Sequence, residues 1–168
     1  MKRFVESIKK SVEEENWYSA LSLTLIMPDI CSNLENPNTR TKWRYIEWFN
    51  EYVKIDYLDM TKKVQKLSGV DCYALRCIYI HQGDDDTDDQ SFSNIFKRFE
   101  FEYFKQEGQR MSYSKGDTVF LQVNSFCRAI CDGVEDWMKK MEIMNKDFYN
   151  ELQFLYVSLS QRFAKYSD

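Results

Sequence analysis

Apolar residues recur at helical spacing through the first half of the chain. Phe4, Val5, Ile8 and Val12 form one stripe with Lys and Glu between them, which predicts a first amphipathic helix. Asn16 reads as the cap of a second, which carries Trp17, Ala20, Leu21 and Thr24 and runs to about residue 34. Pro28 is expected to kink that helix, because it withholds a backbone donor from the carbonyl of Thr24. Residues 36–41, NPNTRT, read as a loop ending in Thr39 or Thr41, either of which can cap a third helix. In that helix Trp43, Ile46, Phe49 and Val53 share one face and Tyr45, Trp48 and Tyr52 thicken a second, which places it centrally. A further helical stretch is expected over residues 58–67. Ser68 and Gly69 then interrupt, and Asp71 starts a fourth helix, DCYALRCIYIHQ, ended by Gly83.

Beyond residue 97 the period changes to two. Phe99, Phe101 and Tyr103 alternate with charged residues, Met111 and Tyr113 follow a turn at EGQ, and Val119, Leu121 and Val123 follow a turn at SKGD. This pattern predicts a three-stranded antiparallel meander. Asn124 or Ser125 caps a helix striped by Phe126, Ile130, Val134, Trp137 and Met141, and a last helix carries Phe148, Leu152, Leu155 and Phe163. The expected fold is therefore mainly α, a helical bundle with an inserted three-stranded antiparallel β-meander (α+β). It forms a single domain over residues 1–168, with the bundle at 1–83, the meander at 97–123 and the C-terminal helices at 124–166.

Composition narrows the classes of function. Of 168 residues 43% are hydrophobic and 30% charged, enough for a folded core, and no apolar run approaches the roughly 20 residues of a membrane span. The first fifteen residues mix both charge signs and lack a signal-like apolar stretch, so a cytoplasmic location without membrane attachment is expected. The net charge of −4 gives no general attraction for polyanions. Five cysteines, Cys31, Cys72, Cys77, Cys127 and Cys131, form no CxxC pair, which fits reduced thiols in a core. With one histidine and no paired ligand motif, neither a metal nor another cofactor is expected.

The residues left for chemistry are few, since phosphate-loop, GxSxG and HExxH motifs are all absent. His81 is the only histidine, and it follows Arg76 by five residues in the string RCIYIH. An imidazole titrating near neutrality can move protons, and a guanidinium can hold a phosphate. Together they suffice for metal-free cleavage of RNA, in which the ribose 2′-hydroxyl attacks the neighbouring phosphate.

In the segment YALRCIYIHQG the chain resembles the HEPN superfamily, whose helical bundles carry an Arg, four to six residues, then a His, on and just after one helix. The resemblance covers mainly residues 1–83. It implies a metal-independent endoribonuclease with Arg76 as phosphate ligand and His81 as general acid or base, a homodimer in which two copies of the motif form one cleft, and a role in toxin–antitoxin or defence systems. Active members usually carry a polar residue after the Arg, where this chain has Cys77.

A competing reading rests on the run DDDTDD. Asp84, Asp85, Asp86, Asp88 and Asp89 repel one another and predict an exposed loop. A calcium loop does not fit, because Asp89 stands where Gly is needed and Ile95 where Glu is needed. The run would instead contact a basic protein, making the chain a noncatalytic interaction module of the immunity or antitoxin kind. RNA and a basic protein are thus the two expected partners besides a second copy of the chain.

Overall fold

A computed structural model describes residues 1–81, 98–103 and 112–144. Among the described residues five helices and five strands follow in the order α1 (Lys2–Glu13), α2 (Trp17–Glu35), α3 (Thr41–Tyr52), β1 (Asp56–Leu58), β2 (Val64–Lys66), α4 (Gly69–His81), β3 (Arg98–Glu102), β4 (Ser112–Lys115), β5 (Thr118–Gln122) and α5 (Val123–Met144).

The helical stripes read from the sequence are the ones that pack. Val5 and Ile8 of α1 are buried, with Phe4 and Val12 against the core beside them. The chain leaves α1 through Glu15, whose φ of 56° lies in the left-handed region. Its N–H donates to the Val12 carbonyl, and the N–H of Asn16 donates to that of Ser11. This is the Schellman closure that Gly usually provides, here adopted by a residue with a Cβ.

Pro28 lies inside α2, which continues through it to Glu35. Ala20, Leu21, Thr24, Leu25, Met27, Pro28, Cys31 and Ser32 are all buried, and α2 packs against each of the other four helices. The hub is thus α2 rather than α3. In α3, Tyr45, Trp48 and Phe49 are buried as core, while Trp43 remains half exposed. On α5, Phe126, Ile130, Val134, Trp137 and Met141 are buried at helical spacing, closing the bundle from its other side.

The helix expected over residues 58–67 is a β-hairpin. Its turn is organised by Asp59, whose carboxylate accepts hydrogen bonds from Thr61 N–H (2.8 Å), Thr61 Oγ1 (2.6 Å), Lys63 N–H (3.0 Å) and Gln65 Nε2 (3.0 Å). Lys62 adopts a left-handed φ of 62°. An aspartate that satisfies the next backbone donors with its own side chain competes with a helix, and the turn conformation wins. Those four bonds hold the Asp59 carboxyl down at about 2, below its ordinary value.

The expected three-stranded antiparallel meander is also corrected, to a five-stranded mixed sheet in the order β2-β1-β4-β5-β3. β1 pairs antiparallel with β2 and parallel with β4; β5 pairs antiparallel with β4 and parallel with β3. The cause is geometric. Lys115 pairs with Thr118 across a two-residue loop in which Gly116 takes a φ of 62°, as a type II′ hairpin requires. That hairpin sets β5 on one side of β4, β1 occupies the other, and β3 adds in parallel to the outer edge of β5. Phe99 and Phe101 pack against the core, with Phe101 edge-on to Phe126 of α5 at 5.3 Å. The mainly α, α+β class stands with this changed sheet. The last expected helix, with Phe148, Leu152, Leu155 and Phe163, lies outside the described residues.

Candidate functional site

Helix α4 carries the sequence motif, and both its ends are informative. Its N-terminus is a capping box: Ser68 N–H donates to Asp71 Oδ2 (3.1 Å), and Asp71 N–H donates to Ser68 Oγ (3.2 Å). Asp71 is therefore the third helical residue, not the first. Gly69 donates its N–H to Asn50 Oδ1 (2.7 Å), and a Cβ at Gly69 would lie 2.5 Å from the Ile46 carbonyl oxygen, so α4 starts pressed against α3. One turn on, Cys72 is buried with its Sγ 3.3 Å from the hydroxyl of Tyr45. Burial pushes the Cys72 thiol up to about 12 and the Tyr45 hydroxyl well above its ordinary range. Neither can serve as a nucleophile near neutrality.

Arg76 turns toward α2. Its Nε donates to Asp29 Oδ2 at 2.8 Å, with side-chain exposures of 17% for Arg76 and 16% for Asp29. The guanidinium also lies 6.0 Å from the ring centre of Tyr73, and Nη1 is 3.9 Å from Cys77 Sγ. Burial works against the charge on Arg76, but the Asp29 carboxylate and Cys77 outweigh it and hold its pKa above the ordinary value. The same burial pushes Tyr73 up to about 12. The arrangement ties α4 to α2 next to Pro28 and keeps the guanidinium protonated.

His81 is the last residue of α4. Ideal geometry places it about 7.5 Å along the axis from Arg76 and about 140° around it. Asp84, Asp85, Asp86, Asp88 and Asp89 lie outside the described residues. Cys31, Cys72, Cys127 and Cys131 are buried free thiols, and Cys77 is half-buried. Among the described residues no three His, Cys, Asp or Glu side chains gather as metal ligands, and no helix is long and apolar enough to cross a membrane.

Asp29 is the functional neighbour that sequence reasoning missed. The signal was present: it is the one charged residue between Trp17 and Leu34. A lone charge in so apolar a helix calls for a partner of opposite sign from another element. No family model, curated protein or solved structure matches the chain.

Proposed function

We propose that the protein is a noncatalytic interaction module that binds a basic protein through Asp84, Asp85, Asp86, Asp88 and Asp89. The observation that supports this reading best is the Arg76–Asp29 pair at 2.8 Å, which gives Arg76 a structural task between two helices. With the guanidinium so engaged, the strongest remaining charge feature is the acidic run. It begins three residues after the C-terminal end of α4. The helix dipole places partial negative charge at that end, which adds to the attraction for a cation and to the repulsion of RNA. Four buried free thiols support a cytoplasmic setting.

Calorimetric titration with a Lys- and Arg-rich peptide tests this reading. Binding is expected at low ionic strength, weakening with salt and lost when the five aspartates are changed to asparagine. RNA incubated with the protein in excess chelator is expected to stay intact. Cutting that disappears in His81→Ala would overturn the proposal.

That last outcome belongs to a second reading, a HEPN-like metal-independent endoribonuclease of a toxin–antitoxin or defence system. It is supported by the placement of Arg76 and His81 five residues apart on one helix, His81 at its end. In this reading a homodimer brings each His81 near its partner's Arg76, and Arg76 exchanges Asp29 for a substrate phosphate.

A further inference from the structure

Among the described residues the β1–β2 hairpin ends the sheet and β2 has one neighbour, β1; all six residues from Thr61 to Lys66 are exposed, including Val64 at 58%. The hydrogen-bond phase of the hairpin decides which backbone groups face outward. Leu67 N–H donates to the Ile55 carbonyl (2.8 Å) and Asp59 N–H to that of Lys63 (2.9 Å). Tyr57 and Gln65 are directly opposed between these two pairs. In an antiparallel ladder the residues between bonded pairs turn their N–H and C=O away from the partner strand. Here those residues are Val64 and Lys66, so two donors and two acceptors line the free edge.

The charge at this edge runs against that of the whole chain, which is −4. Lys62, Lys63 and Lys66 are all exposed, while Asp59 is engaged in the turn and Asp56 is the cross-strand partner of Lys66. Pairing of this edge with a second copy of itself would gather six lysines along a strip about 13 Å long, since each strand residue advances about 3.3 Å. Like charge therefore disfavours self-association and selects an acidic occupant.

We infer that the β2 edge is a docking site for an extended acidic segment of a partner protein, which adds as a sixth strand. Main-chain bonds to Val64 and Lys66 hold it, an acidic side chain meets Lys66, and an apolar side chain two residues away covers Val64. This edge is built from other residues than the acidic run and fits a partner of opposite charge to the one proposed there.

The probe is an eight-residue peptide, Glu-Glu-Val-Val-Glu-Glu-Val-Val, in which residues two apart are one acidic and one apolar, added to the full-length protein labelled with nitrogen-15. Chemical-shift changes and slowed amide exchange are expected at Val64 and Lys66. The double variant Lys63→Glu/Lys66→Glu is expected to weaken binding at least tenfold. Val64→Pro is expected to do the same while leaving the β1–β2 pairing in place, because the Val64 N–H points outward. The inference is overturned if the peptide leaves these amides unperturbed, or if Val64→Pro binds it as well as wild type. Equal binding of a proline-interrupted acidic peptide would show charge attraction without strand addition and overturn it too. So would concentration-dependent protection of the same amides without peptide, which would make a second copy the occupant.

Discussion

Replacing Arg76 with Met keeps most of the aliphatic stem while removing the guanidinium charge that faces the Asp29 carboxylate. Exposed ion pairs contribute about 0–1 kcal/mol, whereas removing one partner of a fully buried pair costs about 3–5 kcal/mol. With side-chain exposures of 17% and 16% the pair lies nearer the buried limit. Arg76→Met should therefore destabilise by about 2–3 kcal/mol, and Asp29→Asn, which retains an acceptor for Nε, by about 1–2 kcal/mol. The two changes share one interaction, so the double variant should lose less than the sum, with a coupling of at least about 1 kcal/mol. Urea denaturation followed by circular dichroism measures all three. A fall in Tm of about 4–12 °C for Arg76→Met is the thermal counterpart at this chain length. If both single variants cost under about 0.5 kcal/mol and add without coupling, the pair does not tie α4 to α2, and the structural account of Arg76 fails.

Four further perturbations test the packing and the turn. Gly69→Ala should cost about 2–3 kcal/mol despite the better helix propensity of Ala, because its Cβ would lie 2.5 Å from the Ile46 carbonyl oxygen. Gly133→Ala, whose Cβ would lie 2.8 Å from the Tyr52 carbonyl oxygen and 3.0 Å from Val53 Cγ2, should also destabilise, and unchanged denaturation midpoints would contradict the close approach of α5 to α3. Trp137→Phe removes the Nε1 donor to Glu35 Oε2 (3.2 Å) from a fully buried position, with an expected loss of about 2–3 kcal/mol by denaturant titration. The Asp59 carboxyl is held at about 2, so its contribution to the hairpin is complete above the unfolded value near 4 and is lost as pH falls through 2. Amide signals of Thr61 and Lys63 should shift over that window in the wild type and stay flat in Asp59→Asn.

The parts of the fold that were legible in the sequence are those set by local periodicity. Val5 and Ile8, Leu21 and Leu25, and Ile130, Val134 and Trp137 announce their helices because a side chain's burial depends on its angle around the axis, which spacing alone encodes. Residues 58–67 misled for the converse reason. Met60, Val64 and Leu67 are compatible with a helical face, and only the Asp59 side chain, by bonding Thr61 and Lys63, diverts the backbone into a turn. Strand order was illegible because it depends on which edges remain after the β4–β5 hairpin closes and β1 takes the other side of β4. No alternation within β3 records that competition. The same holds at the candidate site: Arg76 was read from its distance to His81, but its actual partner, Asp29, is 47 residues away on another helix.

The strength of that pair also sets what Arg76 can do for a ligand. A phosphate can use the guanidinium fully only by displacing the Asp29 carboxylate, and it forfeits whatever free energy couples the two residues. A coupling of about 2 kcal/mol would lower the apparent affinity of Arg76 for phosphate by about thirtyfold. The acidic run three residues beyond α4 acts in the same direction, since it disfavours a polyanion near that end. A ribonuclease built on this helix would have to recover both terms from other contacts, such as those of a second protomer. An interaction module has no such requirement, because the Asp29 pair then only ties α4 to α2.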